Sequence, residues 1–375
     1  MNNADETPGP EPDATITNRK DDHLRLALED RVEVARPEGW DAIRLTPRAL
    51  PELALADVDP SLTFLGKRLA FPLIVGSMTG GTDLAGTLNR RLARAAARAG
   101  IGMGLGSQRV MLVRPETRAT FQVKDEAPDL PLLIANVGAV QLNYGVGDLQ
   151  LAELVREVAA DALVLHLNVA QEAVQPEGDT DFRGLAQAMR RVARSAAFPV
   201  GVKEVGQGFT RADVRALVDS NDGRPSPFAF IESAGAGGTS WTLIEGKRAS
   251  ESGGQALGAL FADWGVPAVT SLLTCVESGA GTPVIASGGL RSGLDAARAI
   301  AAGASVTAMA LPLLKAAAIS EDKAYDLMMD FRRAFVTAMF LVGAKTVHAL
   351  GRAPHRIERA LLPINWEGVS NDRAQ

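Results

Sequence analysis

Short apolar runs alternate with amphipathic segments along the chain from residue 71 onward. The apolar runs predict strands over residues 71–78, 102–107, 131–138, 162–168, 199–206, 228–235, 283–289 and 305–311. Between several of them, Leu, Val or Ala recurs at three-and-four spacing opposite Arg, Glu and Asp, which predicts helices over residues 88–99, 149–160, 182–197, 211–220 and 294–302. Apolar strands separated by such helices are typical of a parallel sheet that is covered on its outer face.

Eight units of this kind favour a closed α/β barrel, the (β/α)8 or TIM barrel, over an open doubly wound sheet. A dinucleotide-binding sheet would carry GxGxxG after its first strand, but GMGLGS (102–107) and GAGGTS (235–240) both end in Ser. The predicted organisation is a disordered acidic, Pro-rich tail over residues 1–17, one barrel domain over 18–350, and a C-terminal extension over 351–375. An insertion of residues 245–261 follows the sixth strand, where such segments often act as lids.

Composition narrows the functional class. Hydrophobic residues make up 46% and charged residues 22% of the 375 residues, as in an ordinary globular protein with a large core. The single cysteine, Cys275, excludes an internal disulfide and a cysteine-based zinc site. A net charge of −5, mixed along the chain, argues against nucleic-acid binding. With no apolar stretch of about 18 residues and no targeting leader, we expect no membrane association and a cytoplasmic location.

Polar side chains stand at the end of almost every predicted strand, where a barrel of this type places its active site. Two Gly-rich stretches, SGGLRSGLDAAR (287–298) and GAGGTS, follow strands seven and six. A helix beginning near Ser292 would aim its backbone N–H groups and dipole at one point there. A plain turn would explain either stretch alone, but together they favour a phosphorylated cofactor.

Four polar residues follow the fourth strand in HLNVAQEAVQPEGD (166–179). His166 and Asn168 are two apart and therefore face the same side, the barrel lumen, with Gln171 and Glu172 in the loop above. A lone His is more often a core residue, but neighbouring amides need polar partners, which a polar substrate supplies. Glu172 suits a hard cation such as Mg²⁺ that is completed by water and diphosphate oxygens.

Two further groups carry charge toward this end of the barrel. Lys203 ends the fifth strand and could be a Schiff-base nucleophile, a partner for an anionic ring or one half of a structural ion pair. The segment NRKDDH (18–23) is either a solvated charge run or a mobile piece whose Arg19, Lys20 and His23 fold over an anion.

Several motifs together resemble type 2 isopentenyl diphosphate isomerase over about residues 18–350. These motifs are RKDDH (19–23), SMTGGT (77–82), GSQR (106–109), HLNVAQEAVQPEGD (166–179), VKEVG (202–206), AGAGGTSW (234–241), FADWGVP (261–267) and ASGGLRSGLDAARA (286–299). The resemblance implies an FMN-dependent barrel enzyme that interconverts isopentenyl and dimethylallyl diphosphate with Mg²⁺, uses NADPH to reduce the flavin, and forms a homo-oligomer, a tetramer or octamer.

The resemblance also implies residue roles. It assigns FMN to Ser77, Met78, Thr79, Ser107, Asn136, Lys203, Thr239, Gly288 and Gly289, substrate to Arg19, Lys20, His23, Arg109, His166, Asn168 and Gln171, and Mg²⁺ to Glu172. The motifs offer no obvious strong acid, so reduced flavin, anionic and fixed near Lys203, is expected to carry the proton. Gln171 is expected to assist proton removal. The reaction is redox-neutral, and NADPH is needed only catalytically.

Three positions depart from the usual family pattern: Val169 in place of Pro, Glu232 in place of Asp, and Gln207 in place of an aromatic or apolar residue. Only Gln207 is expected to line a site. The main rival is an FMN-dependent 2-hydroxy-acid oxidase, which needs a His base late in the barrel. None of His23, His166, His348 and His355 ends strand six or seven. A Schiff-base lyase using Lys203, which borohydride would trap, and a non-catalytic scaffold are two further rivals.

Overall fold

Eight parallel strands close into a barrel in this computed structural model, which describes residues 13–29, 32–34, 39–218, 225–249 and 251–358. Short strands β1 (Ile43–Leu45), β2 (Leu62–Phe64) and β3 (Lys67–Leu69) precede the barrel, and β12 (His355–Ile357) follows it. The barrel strands are β4 (Leu73–Val75), β5 (Gly102–Gly104), β6 (Leu133–Gly138), β7 (Ala162–Leu167), β8 (Val200–Glu204), β9 (Phe230–Glu232), β10 (Val284–Ala286) and β11 (Val306–Met309). Each lies inside a predicted run, so the predicted (β/α)8 barrel is confirmed.

Helices cover the outside of the barrel and its mouth. They are α1 (Asp13–Glu29), α2 (Asp83–Ala99), α3 (Arg109–Val113), α4 (Asp148–Glu157), α5 (Val169–Val174), α6 (Leu185–Ser195), α7 (Arg211–Val218), α8 (Trp241–Arg248), α9 (Ser252–Leu260), α10 (Ala268–Ser278), α11 (Gly293–Ala301), α12 (Leu311–Ile319), α13 (Glu321–Leu341) and α14 (Val347–Leu350). Among these, α2, α4, α6, α7 and α11 occupy the predicted helical segments. None of the described helices is long and apolar enough to cross a membrane.

The lower half of the lumen is filled by apolar side chains. Residues two apart on a strand point the same way, and Ile74, Ile134, Val164 and Phe230 belong to this packed cluster. The β2–β3 hairpin closes the bottom, where the Phe64 ring meets the Phe230 ring at 6.0 Å between centroids. The upper half carries polar side chains on the same faces of the strands, so the functional chemistry is confined to the mouth.

Segments on both sides of the barrel strands in the sequence pack outside the barrel. Strand β1 pairs antiparallel with β12, and α13 contacts α2, α11 and α12. Helix α1 begins at Asp13, so the predicted tail of residues 1–17 was too long, and residues 1–12 lie outside the described part. The reason is that the proline-rich composition ends at Pro12, and no proline or glycine interrupts residues 13–29.

The insertion after the sixth strand is helical rather than a loop. Residues 241–248 form α8 and residues 252–260 form α9, and these two helices pack against each other. Helix α8 also contacts α1 and α5, which places the insertion beside the mouth of the barrel.

Candidate active site

A cavity of about 230 Å³ opens at the carboxyl ends of the barrel strands. The predicted site residues that line it are Lys20, His23, Ser77, Met78, Thr79, Ser107, Arg109, Asn136, His166, Asn168, Gln171, Glu172, Lys203, Thr239, Gly288 and Gly289. The side chain of Arg19 lies outside the described residues. One cavity thus collects side chains from the N-terminal helix to the seventh strand, and their individual roles stay predictions.

His166 is held as a neutral imidazole in the wall of the cavity. The amide nitrogen of Asn136 donates to the Leu105 carbonyl at 3.0 Å, which leaves Asn136 Oδ1 to accept from His166 Nδ1 at 2.8 Å. Burial, together with the positive charges of Lys203 and Lys20, lowers the pKa of His166 to about 3. Nδ1 therefore carries the proton, and Nε2 is an acceptor at neutral pH.

Lys203 stands between His166 and Glu232 on three neighbouring strands. Its Cα pairs with that of His166 on β7 and with that of Glu232 on β9. The buried ammonium donates to the Glu204 carbonyl at 2.9 Å. Glu204 itself does not line the cavity: its Oε2 accepts the backbone N–H groups of residues 205–208 and so fixes the turn after β8.

Asn168, Gln171 and Glu172, three of the four polar residues that follow the fourth strand, form a connected group. Gln171 and Glu172 lie on α5 rather than in the predicted loop. Asn168 Nδ2 donates to Glu172 Oε1 at 2.7 Å and lies 3.3 Å from Gln171 Oε1. Glu172 Oε2 accepts from the Asp179 N–H at 2.8 Å. Asn168 Oδ1 is buried without a partner in the described residues, which is the state expected of a group that awaits a polar ligand.

Glu245 connects this group to the N-terminal helix and was missed by the sequence prediction. Its Oε1 accepts from Gln171 Nε2 at 2.8 Å and lies 2.9 Å from His23 Nε2, while Oε2 accepts from Arg248 Nε at 2.9 Å. Burial alone would raise the pKa of Glu245, but these three partners lower it to about 2. The available signal was an acidic residue one helical turn after Trp241, in the insertion.

Lys20 and Arg109 bring positive charge to the cavity from different elements. Lys20 on α1 donates to the Ser107 carbonyl at 2.9 Å and lies 5.1 Å from the centroid of the Phe121 ring. Arg109 contacts Asp179 at 2.6 Å, and Gln141 donates to the same carboxylate oxygen at 2.8 Å. An anionic ligand would meet both cations at the rim.

The two Gly-rich loops touch each other so closely that a side chain would block them. Gly288 has φ +98°, and a Cβ there would lie 2.2 Å from the Gly235 carbonyl oxygen. A Cβ on Gly238 would lie 3.0 Å from the Gly289 nitrogen. The loops after the sixth and seventh strands therefore form one backbone cradle, the arrangement that suits a phosphate.

Two helices, α11 and α12, begin near this cradle. Helix α11 begins after Ser292, as predicted, and Ser292 and Asp295 form a capping box in which each side chain accepts the backbone N–H of the other. The neighbouring α12 begins after Ala310 with no side-chain cap, and Ala310, Leu311 and Pro312 line the cavity. Residues 292–295 at the start of α11 do not line the cavity, and a role of α11 in holding a phosphate stays a prediction.

Among the three positions that depart from the family pattern, only Gln207 was expected to line a site, and this expectation was wrong. Glu232 lines the cavity, whereas Gln207 does not, and Val169 is 51% exposed on α5. The backbone of Gln207 instead pairs with the Val266 N–H at 2.7 Å. Alternation on β9 explains Glu232, because it lies two residues from the lumen-filling Phe230.

No group of three His, Cys, Asp or Glu side chains in the described residues could hold a metal by itself. Glu172 is a single buried carboxylate with Asp179 nearby. This donor set suits Mg²⁺, which commonly takes one or two protein carboxylates and completes its shell with water and phosphate oxygens.

Comparison with known proteins identifies the family. Residues 15–123 and 252–357 match the FMN-dependent dehydrogenase family. The chain is 47% identical to the isopentenyl-diphosphate delta-isomerase of Synechococcus sp. over 83% of this chain and 87% of that protein. It is 42% identical to the enzyme of the same name from Rickettsia rickettsii, over 90% of this chain and 97% of that protein.

Solved structures of mandelate oxidase share the fold. One, with a C4a-OH-FMN adduct, has a TM-score of 0.62 at 19% identity over 92% of this chain and 99% of that chain. Another, with benzoyl-formic acid, has a TM-score of 0.60 at 19% identity over 93% and 99%. On the sequence similarity, the chain belongs to the type 2 isopentenyl-diphosphate delta-isomerase family, within the FMN-dependent dehydrogenases.

Proposed function

We propose that this protein interconverts isopentenyl and dimethylallyl diphosphate on bound, reduced FMN, with Mg²⁺ on the substrate diphosphate. The observation that carries the proposal is the polar group of buried His166 and Asn168 and half-buried Gln171, in one cavity with Lys203 and the Gly-rich cradle. An unpartnered buried amide oxygen and a backbone cradle of two Gly-rich loops support a site for a polar, phosphorylated ligand pair.

The residues present fit FMN. Its phosphate would lie on the cradle of Gly235, Gly238 and Gly288, with the start of α12 adjacent. Its ring would be held by Ser77, Met78, Thr79, Ser107, Asn136, Lys203 and Thr239, with Gly289 completing the cradle. When bound and reduced, the flavin supplies the mobile proton and a negative charge that stabilises cationic character in the substrate.

The substrate diphosphate would bind between the N-terminal helix and the fourth strand. Lys20 and Arg109 supply positive charge, and Arg19 and His23 are proposed to join them. His166 stays neutral and adds no competing cation to the apolar half of the substrate. Glu172 would hold Mg²⁺, whose remaining ligands are water and diphosphate oxygens.

Gln171 is the proposed assistant in the proton shift from C2 to C4. Its Nε2 is committed to Glu245 at 2.8 Å, so its amide orientation is fixed and Oε1 is the acceptor it can offer. Because isomerisation moves a proton without net electron transfer, NADPH would be needed only to bring the flavin to its reduced state. We also propose a homo-oligomer, a tetramer or octamer, in the cytoplasm.

The test is an anaerobic assay of the purified, flavin-loaded protein with isopentenyl diphosphate and Mg²⁺ after reduction. Dimethylallyl diphosphate should form, and mandelate given to the oxidised protein should not reduce the flavin. Flavin bleaching by mandelate, without isomerisation, would favour the oxidase instead. Protein that binds no FMN would contradict both activities.

A further inference from the structure

Glu232 is a buried carboxyl group beside Lys203, the lysine that is proposed to hold the flavin ring. It is 7% exposed, lines the cavity, and stands in Cα register with Lys203 on the adjacent strand. Ser287 Oγ donates to Glu232 Oε1 at 3.0 Å and accepts from the Ala234 N–H at 3.2 Å. The serine therefore fixes the carboxyl group in the wall between the Lys203 side chain and the Gly288 cradle.

The groups facing Glu232 are few. Lys203 on β8 is the charged neighbour, and Ser287 after β10 is the hydrogen-bond donor. His166 lies one strand beyond Lys203 and is neutral, β11 presents Ala308 to the cavity, and the Glu204 carboxyl group is turned toward the amides of residues 205–208. Burial raises the pKa of Glu232, and Lys203 opposes that effect. The protonation state of Glu232 therefore depends on how strongly the Lys203 ammonium group stabilises its carboxylate.

We propose that Glu232 takes up a proton when the bound flavin is reduced, and so couples flavin reduction to a second proton. This inference rests on the proposed binding of FMN beside Lys203. Hydride transfer from a nicotinamide makes the neutral oxidised ring a reduced anion, which brings two electrons and one proton to the flavin. The new negative charge on the flavin competes with the Glu232 carboxylate for stabilisation by the Lys203 ammonium group. The carboxylate then accepts a proton from solvent and becomes a neutral acid.

Aspartate at position 232 would keep the acid and shorten its side chain by one methylene. The coupling requires a carboxyl group at this position, and either acid supplies one. Its consequence is that the reduced site holds one positive charge, on Lys203, and one negative charge, on the flavin, in place of two competing anions. An unmatched charge is strongly unfavourable in a buried site, so this balance favours the reduced cofactor.

The experiment measures the midpoint potential of the FMN-loaded protein from about pH 6 to pH 9. For wild type and for Glu232→Asp we expect a slope that corresponds to two protons per two electrons. For Glu232→Gln, which keeps the size and the Ser287 contact, we expect one proton per two electrons, half the slope.

Equal slopes in wild type and Glu232→Gln would overturn the inference, whichever value they share.

A direct count of the protons taken up needs no variant, because reduction by hydrogen gas with a catalyst delivers two protons along with the two electrons. A pH indicator in weakly buffered solution should then report no net proton release as the wild-type flavin is reduced. Release of one proton per flavin would overturn the inference. Failure of wild type to bind FMN would instead contradict the proposed function, so the two failures are distinguishable.

Discussion

Gln171 Nε2 donates to Glu245 Oε1 across 2.8 Å, although the two residues are 74 positions apart. The contact joins α5, after the fourth strand, to the helical insertion after the sixth. The same carboxylate lies 2.9 Å from His23 on the N-terminal helix. One buried anion thus ties together three separate segments over the mouth of the barrel.

Substitution of this anion should loosen all three segments. Glu245→Ala leaves Arg248 and Gln171 without their buried partner, so we expect a loss of about 3 kcal/mol in the free energy of unfolding. Urea denaturation measures it. The matched control is Glu177→Gln, which removes a more exposed partner of the same Arg248 and should cost less than about 1 kcal/mol. Equal losses would contradict the role of Glu245 as the link.

Glu172→Gln should weaken Mg²⁺-dependent substrate binding and spare the flavin. A neutral amide is a poor Mg²⁺ ligand, so we expect KM for isopentenyl diphosphate to rise at least about tenfold, with a matching loss of about 1.4 kcal/mol in binding. Flavin content is read from the visible spectrum. Loss of flavin with an unchanged Mg²⁺ requirement would count against the assignment.

Two lysines in the cavity should separate flavin binding from substrate binding. Lys203→Ala removes the buried cation beside Glu232, so we expect the Kd for FMN to rise at least about tenfold. Lys20→Ala, on the N-terminal helix, should leave that Kd unchanged and raise KM. Normal FMN content and turnover in Lys203→Ala would refute its role.

Gly288→Ala tests the cradle. A Cβ at φ +98° and 2.2 Å from the Gly235 oxygen forces the loops apart, so we expect loss of FMN and about 2 kcal/mol or more of stability. Gly281→Ala is the control, because it has φ +77° but open space around the new Cβ. It should cost about 1 kcal/mol and leave FMN bound. Equal flavin content in both variants would show that loop contact is irrelevant.

The neutral His166 predicts how stability depends on pH. Its pKa is lowered to about 3 in the folded state, against about 6.5 when unfolded. Only the unfolded chain binds the proton between these values, so stability is full above about pH 6.5 and falls as the pH drops. From pH 7 to about pH 5, wild type should lose about 2 kcal/mol more than His166→Gln. Parallel losses in urea titrations would contradict a neutral, buried imidazole.

The fold was predictable because each strand and its covering helix carry a local signal. The predicted strands that carry His166 and Lys203 are apolar up to these two residues. Because side chains alternate between the two faces of a strand, His166 and Lys203 point into the lumen. Glu245 could not be placed in this way, since its partners come from distant segments that only the closed barrel brings together. The choice between α11 and α12 at the cradle also depends on three-dimensional packing, although the Ser292–Asp295 capping box was visible in the sequence.

Glu232 and Gln207 show the same limit at a finer scale. An amide looks more suited to a ligand site than a carboxyl group next to a lysine, yet the turn after β8 directs the Gln207 backbone toward Val266. Glu232 is two residues after Phe230 on β9, so both side chains face the lumen. The alternation of side chains along the strand would therefore have predicted the cavity-lining residue better than the chemical type of the side chain did.

The most direct test of the proposed isomerase counts product molecules against reductant. The FMN-loaded protein receives excess isopentenyl diphosphate, Mg²⁺ and a sub-stoichiometric amount of NADPH under anaerobic conditions, and both dimethylallyl diphosphate and NADPH are quantified. A redox-neutral isomerase with a reduced flavin should form many molecules of product for each NADPH oxidised. Product that never exceeds the NADPH consumed would contradict a redox-neutral isomerisation.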